Sequence, residues 1–465
     1  MSLKSFVAAL RPSVWFWAAI GVGALCRFWD LTGQSLFIDE GWTFHISSGS
    51  VKDIIHATAY TDFHPPLFYL VTAFLTKHLG WPPWQYRYLT ATFSLTGIAA
   101  TWAIARRFFG EATATIAAFA VALNPALIEW DRLYRQYAVL VALGAVSWWL
   151  LVRACDATGR SRIFWWTAYG LCAIVLPYVQ YVGALVVASQ ALYAIVDLRA
   201  RWPALVGQLA AGLAMIPWLW AIRIQFPHGG LVTQLSSPEF SWPTLVRATI
   251  AYGIPAAWLT RPGFDVVFAS ATLAVLVFGA IVARRSVVPY WLAPIVLHVV
   301  ASFGWHKDLV VPRYLYVYVP AFCIALAALL TAIWRTRYRV AALAVGALYF
   351  GIAAVSIPNL LFVPLYQFPD WYQVNALVLQ YEHPDDIVVF DQGAEYWVVH
   401  DYSAFRGHEM EAPAIPSDLP ATIAWLASYP KRRVWYIENQ PTFTDPTRRI
   451  KASLDAKRTL LRAWR

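Results

Sequence analysis

The sequence predicts an all-α polytopic membrane protein followed by a small α/β unit at its C-terminal end. Three observations predict it. Of its 465 residues, 59% are hydrophobic and 13% charged, against roughly 25% charged in soluble globular proteins. Apolar runs recur from Val14 to Ile357, and segments of that kind satisfy their backbone in lipid by coiling into helices. Beyond about residue 358 the character changes. Charged sequence there alternates β-like runs (Ile387–Phe390, Tyr396–Val399, Val434–Ile437) with helical candidates (Trp371–Tyr381, Leu419–Ser428, Pro446–Leu461). The expected division is a transmembrane domain over 1–357 and an extracytoplasmic domain over 358–465.

About eleven spans are expected, near 12–28, 86–105, 112–129, 137–153, 163–180, 181–197, 203–222, 264–283, 287–304, 314–333 and 340–357. Leu67–Leu79 is the ambiguous segment. At about 1.5 Å per residue it reaches about 20 Å, short of a hydrocarbon core of about 30 Å. If it does not cross, the arginines at 106–107, 153–162, 199–201, 284–285 and 335–339 fall on one side with Lys4 and Arg11. The positive-inside rule makes that side cytoplasmic. Leu67–Leu79 is therefore expected to be interfacial or re-entrant, and residues 37–50 to form a second, amphipathic interfacial helix. The first outer loop, 30–85, is then extracytoplasmic. So are Glu129–Tyr137, Arg223–Gly263, Trp305–Arg313 and everything after Pro358. The protein is expected in the inner (plasma) membrane, multi-pass, with its N-terminus in the cytoplasm.

The net charge of +10 is explained by loop arginines and gives no reason to invoke nucleic acid. The basic stretch from Arg448 to Arg465 reads as a solvated helix face more readily than as a lipid contact. The four cysteines (Cys26, Cys155, Cys172, Cys323) show neither metal-ligand spacing nor a disulfide framework. Lys4 and Arg11 precede an apolar run with no small-residue cleavage site, so a retained first helix is expected.

Polar chemistry concentrates in Leu36–Pro66. Asp39 and Glu40 follow Leu36-Phe37-Ile38 and precede Trp42. An acidic pair in a loop is usually just solvated. Beside a membrane, desolvation raises a carboxylate's pKa and suits it to accept a proton. Asp62 and His64 stand in Asp-Phe-His-Pro-Pro, where the prolines favour a helix start. The same side chains can point into a pocket with Asp39, and Asp-x-His admits a divalent ion as a weak signal. Arg132 and Arg135 lie at the outer mouth between two spans, against the positive-inside trend. A guanidinium there matches phosphate oxygens, or it pairs with Glu129 or Asp131 or snorkels to headgroups. Arg313, with His306 and Lys307 nearby, has the same logic, and Arg87 is a weaker candidate. His298 is the clear mid-span ionisable residue. Near-absent midplane charge and no repeat symmetry disfavour an ion-coupled transporter.

Four ordered pieces resemble the GT-C superfamily of membrane glycosyltransferases. The likeness is nearest in style to protein O-mannosyltransferases, ArnT-like aminoarabinose transferases and Rgt-like bacterial enzymes. The pieces are Cys26–Thr43 with its Asp-Glu, His64–Leu70 with His-Pro-Pro-Leu, Arg135-Gln136-Tyr137-Ala138, and Pro312-Arg313-Tyr314. Phe37-Ile38 is a mild departure where Trp and an aromatic or aliphatic residue are usual, and the C-terminal part matches only loosely. The resemblance implies a GT-C fold and a polyprenyl-phosphate-linked sugar as donor. It implies inverting transfer to an envelope lipid, glycan or protein on the extracytoplasmic face. Asp39 would be the general base, with Glu40 beside it. Arg132, Arg135, Arg313 and Tyr137 would hold the donor phosphate, and Asp62, His64 and Arg87 would bind substrate or orient Asp39. No cofactor is required; a divalent metal near Asp62 and His64 stays open. The alternative is a lipid or polysaccharide transporter or scaffold without glycosyl transfer. A polymerase or ligase on the same donor would keep its key residues in a large late loop. Acceptor choice is expected to depend on the Arg223–Gly263 loop and the C-terminal part.

Overall fold

A computed structural model of the chain describes residues 13–62, 64–196, 201–225, 263–305, 312–363, 370–381, 383, 386–390, 419–438 and 447–463. The expected Tyr396–Val399 strand, residues 226–262 of the fourth outer loop, and His306 with Lys307 lie outside the described residues.

Helix α1 (Val14–Phe28) opens the chain and is N-capped by Ser13. The first outer loop then folds into three short helices: α2 (Ile38–Ser47), α3 (Val51–Tyr60) and α4 (Leu67–Leu79). The helix expected over 37–50 is α2, and α3 is an addition. A Ser50–Asp53 capping box explains α3, each side chain meeting the other's backbone N–H. Pro65-Pro66 starts α4 as expected, with no side-chain cap, and Gly80 ends it at φ 59°.

The remaining helices are α5 (Arg87–Phe109), α6 (Glu111–Ala122), α7 (Pro125–Asp131), α8 (Gln136–Asp156), α9 (Arg160–Val179), α10 (Val182–Val196), α11 (Arg201–Met215) and α12 (Leu219–Gln225). After them come α13 (Phe264–Ala274), extended by a π-helical turn, then α14 (Val288–Trp305), α15 (Val319–Trp334) and α16 (Arg339–Phe362). Each segment expected to span contains helix among the described residues. Among the described residues six helices are long and apolar enough to cross a membrane, and α6 with α7 makes a further pair bent by 54°. Helices α1, α4, α10, α13 and α14 contain shorter apolar stretches.

Burial sorts these helices. Arg313–Trp334 is 78% buried over its apolar window and belongs to the centre, whereas Trp202–Gln225 is 17% buried. Val206, Leu209 and Leu213 on the latter stay exposed. An apolar helix face left uncovered by protein is a lipid-facing face.

Helix α5 starts at Arg87 and ends at Arg106 and Arg107; α8 starts beside Arg135 and ends at Arg153. The site residues and the basic clusters therefore sit at opposite ends of helices about 30–35 Å long.

The C-terminal part contains α17 (Trp371–Tyr381), β1 (Ile387–Phe390), α18 (Leu419–Ala427), β2 (Val434–Ile437) and α19 (Arg449–Lys457). The strands pair in parallel, Ile387 opposite Val434 and Phe390 opposite Ile437. Strand alternation divides β1 between two cores. Ile387 and Val389 pack with Leu426 of α18 and Ile450 of α19. Val388 turns the other way, into a cluster with Trp371, Val378, Leu36 and Ile38.

Candidate active site

Asp39 and Glu40 sit in the first turn of α2, and the structure gives them different surroundings. Glu40 is fully buried. Its Oε1 accepts from Arg87 Nε at 2.8 Å and from the Tyr134 backbone N–H at 2.7 Å. Its Oε2 accepts from Arg87 Nη2 at 2.5 Å and from the Phe37 N–H at 2.8 Å. Arg87 spends its other N–H groups on the carbonyls of Leu31, Gln34 and Ser35. Together the two charges stitch the first outer loop to the start of α5 and to the Tyr134 turn.

Asp39 is the open member, its side chain 28% exposed. Arg135, at 2%, lies behind it with Nε 3.9 Å from Asp39 Oδ2. Arg135 Nη1 donates to the Asp39 carbonyl at 2.9 Å and to Thr43 Oγ1 at 2.5 Å. Thr43 Oγ1 in turn donates to the Asp39 carbonyl at 2.8 Å, so the guanidinium grips the first turn of α2 while its Nε edge faces the carboxylate. Arg313 lies near Tyr137 and within electrostatic range of Asp39 and Arg135. A partly open carboxylate with guanidinium charge close by can take a proton while that positive charge faces an anion.

His64 Nδ1 pairs with Asp62 Oδ1 at 3.0 Å, and its Nε2 stands 3.4 Å from the Tyr137 hydroxyl. Burial works against the Asp62 charge. His64 and Arg135 outweigh it, so the carboxyl lies below the usual carboxylate range. The Tyr137 ring packs edge-on to Trp130 at 5.1 Å. Gln225 Nε2 holds the carbonyls of Thr58 and Asp62 at 2.7 and 3.4 Å, tying α12 to the end of α3.

The site residues expected from sequence thus form three groups. Asp39, Arg135, Arg313, Tyr137, His64 and Asp62 come together. Glu40 and Arg87 form the buried pair behind them. Arg132 lies apart. Its Nη1 donates to the carbonyls of Cys26, Arg27 and Trp29, closing the C-terminal end of α1, and burial with the nearby Arg87 charge pulls its pKa down to about 10. The adjacent Asp131 pairs with Arg27 at 2.8 Å. Asp62 and His64 supply two potential metal donors already bonded to each other, and no group of three or more His, Cys, Asp or Glu ligands occurs among the described residues. Thr43, Tyr134 and Gln225 were not anticipated. Thr43, one helical turn after Asp39, is the one whose position carried a signal.

Residues 63–220 match the family model of dolichyl-phosphate-mannose-protein mannosyltransferase. The structure resembles apo ArnT from Cupriavidus metallidurans with a TM-score of 0.58 at 15% identity, over 93% of this chain and 90% of that one. It resembles the same protein bound to undecaprenyl phosphate with a TM-score of 0.55 at 15% identity, over 100% and 97%. Oligosaccharyltransferase AglB from Archaeoglobus fulgidus, in complex with an inhibitory peptide and a dolichol-phosphate, matches with a TM-score of 0.50 at 12% identity, over 83% of this chain and 63% of that one. No curated protein matches in a sequence search. The chain is a polytopic membrane protein with the GT-C glycosyltransferase fold.

Proposed function

We propose that this protein transfers a sugar from a polyprenyl-phosphate donor to a hydroxyl of an envelope lipid, glycan or protein, with inversion, at the extracytoplasmic face. The observation that carries the reading is the partly open Asp39 carboxylate beside the buried Arg135 guanidinium, with Arg313 in range.

Asp39 accepts the proton of the acceptor hydroxyl as its oxygen attacks the anomeric carbon. The bond from that carbon to the phosphate oxygen breaks, and the polyprenyl phosphate leaves with the bonding pair. Arg135 and Arg313 face the charge that grows on the phosphate, where preorganised donors contribute most. Glu40, held by Arg87 and the Tyr134 N–H, fixes the helix turn that carries Asp39. Asp62, His64 and Tyr137 orient the substrate next to it. The site residues at the starts of α5 and α8 lie at the helix ends opposite the arginine clusters, and the positive-inside rule then supports an active site on the outer face. A monophosphate leaving group met by two guanidiniums needs no metal in this scheme. The undecaprenyl phosphate of the ArnT structure and the dolichol-phosphate of the AglB structure support a lipid phosphate as donor.

The test is mass spectrometry of envelope glycolipids and glycans from cells with the wild-type chain, the Asp39→Asn variant or no protein. One sugar missing from one acceptor in both the variant and the null is the expected result. A variant that matches wild type while the null differs would point to transport instead.

A further inference from the structure

The sequence around Asp39 is extended just before α2 begins: Phe37 has φ −76° and ψ 151°. Phe37 packs edge-on against Trp130, centroids 6.3 Å apart. Leu36 and Ile38 belong to the buried cluster built with Trp371 and Val378 of α17 and Val388 of β1, and Phe37 packs against that cluster as well. Leu36 is fully buried, Trp371 and Val378 are 1% exposed, and Val388 is 2% exposed. The step that delivers Asp39 is therefore held by two parts of the chain, the transmembrane part through Trp130 and the C-terminal part through the cluster that contains Trp371.

We infer that the C-terminal α/β part is a positioning element for the reaction, with Trp371 as its principal contact on the Asp39 turn. The inference rests on Asp39 being the base. It differs from a role in acceptor choice, because it acts on the placement of the carboxylate whatever the acceptor is. Trp371 reaches the first outer loop across most of the sequence. Releasing Leu36 and Ile38 loosens one of these two holds on the N-terminal approach to α2 while the Glu40–Arg87 pair still holds its other end. The carboxylate then shifts rather than leaves. A misplacement of about 1 Å at a reacting group can cost about 10²-fold in rate.

Full-length protein would be purified as wild type, Trp371→Ala, Trp371→Phe, Leu426→Ala and Asp39→Asn, and assayed below each unfolding transition. Envelope membranes of a host strain lacking the protein, with their lipids, glycans and proteins, serve as donor and acceptor source, and free polyprenyl phosphate is measured by mass spectrometry. Undecaprenyl phosphate serves as the competing probe of the phosphate site. Trp371→Ala is expected to lower the saturated rate about 10-fold with the inhibition constant of undecaprenyl phosphate within about twofold of wild type. Trp371→Phe is expected to restore most of the rate. Leu426→Ala, which loosens the opposite face of β1, is expected to keep it. A wild-type rate in Trp371→Ala, or an equal loss in Leu426→Ala, would overturn the inference. A wild-type rate in Asp39→Asn would instead overturn the assignment of the base, and the inference with it.

Discussion

Glu40 and Arg87 meet through two nitrogen–oxygen contacts, 2.8 and 2.5 Å long, with both side chains at 1% exposure or less. A buried pair of this kind is costly to break, because the survivor is left charged and unpaired. Arg87→Ala is expected to destabilise the protein by about 3–5 kcal/mol and to free the Leu31–Ser35 stretch. Thermal unfolding in detergent reads the first effect. Proteolysis within residues 31–35 reads the second.

Arg135 holds the Asp39 carbonyl and Thr43 with one nitrogen and faces the Asp39 carboxylate with another. A lysine cannot make both contacts. Arg135→Lys is expected to lower the saturated transfer rate by about 10²-fold or more, as loss of a preorganised donor does. Conservation of charge without conservation of rate is the result to look for. A wild-type rate in the lysine variant would show that geometry at this residue is immaterial.

Arg132 was expected to share the donor phosphate with Arg135, three residues away. Its hydrogen bonds go to the end of α1 instead. Arg132→Ala is therefore expected to lower the unfolding temperature while leaving the inhibition constant of undecaprenyl phosphate within about twofold of wild type. A large rise in that constant would return Arg132 to the phosphate.

Asp386, just before β1, accepts from Arg433, Trp435 Nε1 and the His383 N–H. Burial works against its charge, and these partners outweigh it, so its carboxyl lies below the usual carboxylate range. A carboxyl depressed by folding contributes stability above its unfolded value of about 3.9, and this is lost as pH falls through the lower folded value. Asp386→Asn is expected to unfold the C-terminal part more readily than wild type near pH 7, with the difference shrinking toward about pH 3. A difference that grows on acidification would contradict the sign.

How much of this was legible in the sequence depended on how local the cause was. Hydropathy placed the long helices because a span must be apolar along its own length. Pro65-Pro66 marked the start of α4, and the β-like runs at Ile387–Phe390 and Val434–Ile437 became β1 and β2. The adjacent carboxylates were visible as a pair, yet their division of surroundings was not. Glu40 is buried by Arg87 and by the Tyr134 backbone, 47 and 94 residues away, and no pattern within the loop distinguishes it from Asp39. The same holds for Arg132 and Arg135, which differ in which far backbone each one reaches. The packing of Leu36 and Ile38 on Trp371 and Val388 joins the two ends of the chain and had no signal in the sequence.

The most direct test of the account is the rate of polyprenyl phosphate release by purified Asp39→Asn protein supplied with envelope membranes of a host strain lacking the protein. The account expects that rate to fall by about 10²–10⁴-fold, the span that a positioned general base contributes, with undecaprenyl phosphate still bound as in wild type. Release at the wild-type rate would contradict the assignment of Asp39 as the base.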